Sequence, residues 1–100
     1  NMRLGRINLG ETKYVIRGKR KDTGEYVYIT SMILHSNPLC AKLFSYIEDA
    51  REWFGDNFEE LMARKINKVL DINTLEIVKI TLQLNSINKL EVPKIEEETK

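Results

Sequence analysis

The spacing of apolar residues changes period twice along this chain, and that change limits the available folds more than any other feature. Between Leu75 and Leu84, the residues Val78, Ile80, Leu82 and Leu84 alternate with Lys79, Thr81 and Gln83. This is the period-two pattern of a strand with one buried and one solvated face. Upstream, Ile47, Ala50, Trp53 and Phe54, and then Phe58, Leu61, Met62, Ile66, Val69 and Leu70, recur at helical spacing, which marks the inward stripe of a helix. Earlier still, residues 13–19 and 25–34 are rich in Tyr, Val and Ile, and Arg20-Lys21-Asp22-Thr23-Gly24 lies between them. The Asp and Gly of that segment suit a short hairpin loop. Strand, strand, helix and strand in this order predict an α+β fold, a three- or four-stranded, mainly antiparallel sheet packed on one face by one long or two short helices.

Local signals refine the boundaries. Ser45-Tyr46-Ile47-Glu48 has the form of a capping box, so a helix is expected from about Tyr46. Gly55 either closes a short first helix or sits inside a bent longer one, and Asp56-Asn57-Phe58-Glu59 repeats the capping pattern. In the 25–34 run, Val27, Ile29 and Ile33 fall on one face and Tyr26, Tyr28, Met32 and Leu34 on the other, so neither face is strongly polar. Ser36-Asn37-Pro38 stops that strand, and Ala41 to Phe44 either adds a short strand or leads into the helix. Trp53, Phe54, Phe58 and Ile66 are the expected core, because a small domain must bury most of its large side chains. One hundred residues predict a single domain over 1–92. Pro93 and Glu96-Glu97-Glu98 predict a disordered acidic tail over 93–100 that is dispensable for folding. Asn1 ahead of Met2 reads as an addition before the natural start.

Several function classes lose their usual signatures. No apolar run approaches the roughly 18 residues of a membrane helix, and Arg3, Gly5, Arg6, Asn8 and Gly10 interrupt any secretory signal near the start. Cys40 and His35 are the only cysteine and histidine, too few for a zinc shell and without the orienting third group that a nucleophile needs. The five glycines never form a phosphate-cradling loop. Glu48 and Glu52, and Glu59 and Glu60, lie among Arg51, Arg64 and Lys65, as on a solvated helix face. The expectation is a protein without enzymatic activity, cofactor or metal.

Charge is balanced in sum, at +1, but not in distribution. Residues 1–21 hold seven cations against Glu11 alone, which puts +6 there and −5 on the rest. Four cations, Arg17, Lys19, Arg20 and Lys21, sit at the expected hairpin tip, with Tyr26 and Tyr28 across the turn. These six residues are the expected partner-binding site. They suit an acidic protein surface, or alternatively nucleic acid, where cations grip phosphates and a tyrosine stacks on a base. The bland alternative is a solubilising sheet edge.

The order Tyr14-Val15-Ile16-Arg17, Gly24-Glu25-Tyr26-Val27, Ala41-Lys42-Leu43-Phe44-Ser45 and Glu48-Asp49-Ala50, followed by an alternating strand, resembles small uncharacterised proteins encoded by phages and prophages of low-GC Gram-positive bacteria. The likeness spans about residues 13–84. It implies an accessory protein in the cytoplasm of a bacterial host that binds and inhibits or modifies a host protein. A defence nuclease is the most concrete target, as for anti-CRISPR proteins. The resemblance assigns no residue a role.

Overall fold

A computed structural model of the chain describes residues 2–31, 33–92 and 95–99, with Leu90, Glu91 and 95–99 described by backbone alone. The chain begins with a small hairpin of β1 (Arg3–Leu4) and β2 (Ile7–Asn8), then runs through β3 (Thr12–Arg20), β4 (Tyr26–Thr30) and β5 (Ile33–His35). A 3-10 turn at Pro38–Cys40 leads to α1 (Ile47–Ala63) and α2 (Ile66–Val69). Strands β6 (Leu70–Thr81), β7 (Gln83–Leu84), β8 (Leu90–Glu91) and β9 (Ile95–Thr99) follow. The main sheet has the order β5-β4-β3-β6-β9, with every neighbouring pair antiparallel. This is the expected α+β architecture, with one long helix and one short one.

The expected hairpin between the first two long runs forms for the expected reason. Asp22 Oδ1 accepts from the Thr23 amide at 2.7 Å, Thr23 Oγ1 accepts from the Glu25 amide at 3.2 Å, and Gly24 takes φ +73°, a conformation in which a side chain is strained. The register then sets Arg17 opposite Tyr28 and Lys19 opposite Tyr26. The 25–34 run is not one strand, however. Ser31 takes φ +54° and the chain doubles back, so that Thr30 pairs with Ile33. Periodicity could not locate this break, because both halves are equally apolar.

Two clusters hold the layers together, one on each face of the sheet. Ile16, Ile29 and Ile77 point to the helices and meet Ala50, Leu61 and Ile66. On the opposite face, Val15, Tyr28, Val78 and Ile80 meet Ile7 and Ala41, with Leu39 and Leu43 packed alongside. The segment after the 3-10 turn fills the gap where β3 and β4 diverge. The Lys42 amide donates to the Ile29 carbonyl at 3.0 Å, and Phe44 and Tyr14 exchange backbone bonds at 2.8 and 2.9 Å. Ala41 to Phe44 therefore contributes a single bridge rather than a strand.

Helix α1 runs unbroken through Gly55, where an added Cβ would meet nothing. Its N-cap is Tyr46, which makes no side-chain cap bond. Ser45 lies one residue before that cap, and its Oγ accepts from the sheet cation Lys13 Nζ at 2.9 Å. Of the expected core, Ile66 is buried and Trp53 and Phe54 are half-buried, but Phe58 is 38% exposed. The helix spends its buried positions on Ala50 and Leu61, which leaves Phe58 at the rim, edge-on to Phe54 at 5.5 Å.

The closing region also differs from expectation. Strand β6 starts at Leu70, directly after α2, and its second face is not fully solvated, since Ile77 is buried among the helices. Residues 95–99, expected to be disordered, form β9 against β6, with Glu96 opposite Lys79 and Ile95 opposite Ile80. Backbone pairing along an open strand edge needs no apolar docking surface, which is the requirement the sequence reading imposed. Pro93, Lys94 and Lys100 lie outside the described residues.

Candidate protein-binding surface at the hairpin end

The six residues expected to form one basic tip are divided between two faces. The Arg17 Nε donates to Glu76 Oε2 at 2.8 Å, and these two residues are only 7% and 8% exposed. The Arg17 guanidinium also lies 3.8 Å from the centre of the Tyr26 ring. Burial opposes its charge, but hydrogen bonds with Tyr28 and Glu76 outweigh that opposition and hold its pKa above the usual arginine value. Tyr28 is buried within the second core cluster. Arg17 and Tyr28 are thus structural more than accessible.

Lys19 and Tyr26 remain at the surface on the same face, with Lys19 Nζ 5.3 Å from a ring that is 40% exposed. Their position depends on Gly18. A Cβ there would come within 2.6 Å of Leu70 Cδ1 and 3.3 Å of Thr74 Oγ1, so the glycine lets β6 close over β3. The pairing shifts register between Arg17 and Lys19, and Thr74 Oγ1 accepts from the Lys19 amide at 2.7 Å across the irregularity.

Arg20 and Lys21 turn toward the helices. Arg20 Nε and Nη2 each donate to Asp22, both at 2.9 Å, and this pairing lowers the Asp22 carboxyl to about 2. The Lys21 amide donates to the Val69 carbonyl at 2.8 Å, and its Nζ to the Asn67 carbonyl at 3.1 Å. The tip is thereby fastened to the end of α2, where unpaired carbonyls favour a cation. Arg20 also borders two open grooves. One, of about 580 Å³, is lined by Ile33, Leu34, Ile66 and Val69, with Arg64 and Lys65 at its rim. The other, of about 480 Å³, is more polar and reaches Glu25, Tyr26 and His35, with Leu34 shared between them.

Sequence reasoning missed the first groove. Its parts, Ile33-Leu34 and Arg64-Lys65, lie far apart in the chain and come together only where the helices pack against the sheet. The carboxylates Glu48, Glu52, Glu59 and Glu60 are exposed on α1, and Glu60 accepts from Arg64 at 2.9 Å. His35 Nδ1 accepts from the Asn37 amide, and Cys40 is an exposed thiol. Among the described residues no group of three His, Cys, Asp or Glu could hold a metal ion, and no helix is long and apolar enough to cross a membrane. Comparison with protein-family models, curated proteins and solved structures found no match to this chain.

Proposed function

We propose that this protein acts by binding another protein rather than by catalysis. The carrying observation is how the tip cations are used. Arg17 is buried against Glu76, Arg20 holds Asp22, and Lys21 holds the end of α2. A phosphate-gripping surface needs several cations free to displace counterions; with Arg17 buried and Lys21 anchored, this tip leaves Lys19 and the exchangeable Arg20–Asp22 pair, a small set for that purpose. The same end of the molecule offers exposed Tyr26, Ile33 and an apolar groove, the mixed aromatic and apolar surface that protein partners use. The concrete form of this reading is an accessory protein of phage or mobile-element origin that inhibits or modifies a host protein, with a defence nuclease as the first target to test. Nucleic-acid binding is the alternative, favoured by the Lys19–Tyr26 pair, a cation beside a ring on which a base can stack.

One pair of measurements separates the two. The purified protein, titrated with single- and double-stranded oligonucleotides at physiological salt, should bind neither. A tagged copy should retain a protein partner from bacterial lysate, and the Lys19→Ala, Arg20→Ala, Lys21→Ala triple variant should lose it. Salt-sensitive oligonucleotide binding that the triple variant abolishes would establish the alternative instead.

A further inference from the structure

We propose that the open β5 edge and the groove beside it receive an extended segment of a partner protein, rich in acidic and apolar residues, which adds to the sheet as a further strand. This rests on the protein-binding reading and assigns that reading a site. Strand β5 ends the sheet order. Thr30 and Ile33 pair across a two-residue connection, which makes them the hydrogen-bonded pair beside the turn and directs the Leu34 amide and carbonyl outward. Ile29, the Leu34 partner, agrees, because its carbonyl is taken by the Lys42 amide on the side away from β5.

The two outer strands of this sheet are treated differently. Sheet edges are ordinarily protected by charge, proline or a covering element. Strand β9 carries three glutamates in Ile95–Thr99, whereas β5 reads Ile-Leu-His and leaves Ile33 64% exposed. Beside it, Leu34, Ile66 and Val69 line the groove that a neighbouring strand's side chains would enter.

The rim charges select the occupant. Arg20, Arg64 and Lys65 border the groove. Arg20 and Arg64 pair with Asp22 and Glu60 at exposed positions, and such pairs have little net worth and exchange readily. Lys65 has no carboxylate beside it among the described residues. An incoming strand whose apolar residues fill the groove while its carboxylates meet these cations satisfies both features, as in other recognition by strand addition.

The test uses isotope-labelled full-length protein and a short peptide of alternating valine and glutamate, with two controls: the same peptide with lysine for glutamate, and a backbone N-methylated copy that cannot donate to a ladder. Amide shifts at residues 33–35 and 63–69 with the glutamate peptide, slowed exchange at Leu34, no response to either control and at least several-fold weaker binding by Lys65→Glu are expected. No shifts at β5 at any peptide concentration, or equal binding of the N-methylated copy, would overturn the proposal. Concentration-dependent self-association of the protein alone through the same amides would replace the foreign strand with a second copy. Perturbation of the same amides by an oligonucleotide would replace it with nucleic acid. If the lysate partner is retained and the peptide is not, this site falls while the protein-binding reading stands.

Discussion

Two arginine–carboxylate pairs lie three residues apart on β3, and their surroundings make them different objects. Arg17–Glu76 and Arg20–Asp22 have nearly identical lengths, 2.8 and 2.9 Å. The first joins β3 to β6 inside the molecule, under the Tyr26 ring, while the second closes a turn in water. A buried pair has lost its hydration, so removing one partner strands the other charge, whereas an exposed pair can exchange its partner for solvent. Adjacent basic residues in the sequence therefore belong to different categories, and only Lys19 among the tip cations keeps an exposed position beside an open ring.

The strongest attempt to break this contrast is Glu76→Ala. It should cost about 3–5 kcal/mol by leaving Arg17 buried without its carboxylate, read as a lower denaturation midpoint. The double replacement Arg17→Met with Glu76→Leu should recover most of that loss, since apolar isosteres often match a buried pair. An unchanged midpoint in Glu76→Ala would mean that both pairs are solvent-like. Removing residues 95–100 is next in size. It deletes four paired positions on β6, worth roughly 1–4 kcal/mol at ~0.2–1 kcal/mol each, whereas the sequence reading of a disordered tail requires no change. Phe58→Ala should cost only about 1 kcal/mol, the scale of one aromatic pair at a rim, and a loss of about 3–5 kcal/mol would return Phe58 to the core.

The smallest effect sharpens the exposed side of the contrast. The Asp22 carboxyl is lowered from 3.8 to about 2 by the Arg20 hydrogen bonds. A lowered carboxyl contributes stability that is complete above its unfolded value and is lost as pH falls through the folded one. Any contribution of this turn therefore disappears between about pH 4 and 2. Carbon-detected titration should find Asp22 near 2 in the wild type, and Arg20→Ala should move it up toward 3.8 and flatten whatever part of the stability falls away between about pH 4 and 2.

Local chemistry was legible in the sequence, and competition for partners was not. The Asp22–Gly24 turn, the inward helical positions Ala50, Leu61 and Ile66 and the alternation at Val78 and Ile80 follow from spacing alone, because each depends on neighbours in the chain, whereas the stripe overran at Leu70, which opens β6. Ser45 shows the opposite case, since nothing near it reveals that Lys13 will claim its hydroxyl. Likewise Arg17 looked like one more tip cation until the register of β6 set Glu76 opposite it. The placement of the six tip residues divides for the same reason: Lys19 and Tyr26 are exposed together, while Arg20 and Lys21 answer to Asp22 and α2.

The pairing of β3 with β6 has a consequence in time. Thr12 meets Thr81 and Arg20 meets Leu70, so the longest seam of the sheet forms only after most of the chain has been brought round to close a large loop. Such long-range pairing slows folding toward the millisecond-to-second range of sheet-dominated domains, while α1 and the β3–β4 and β4–β5 hairpins form earlier from local contacts. During that interval β6, with its Leu-Glu-Ile-Val-Lys-Ile run, lacks its β3 partner and is open to pairing with the wrong chain.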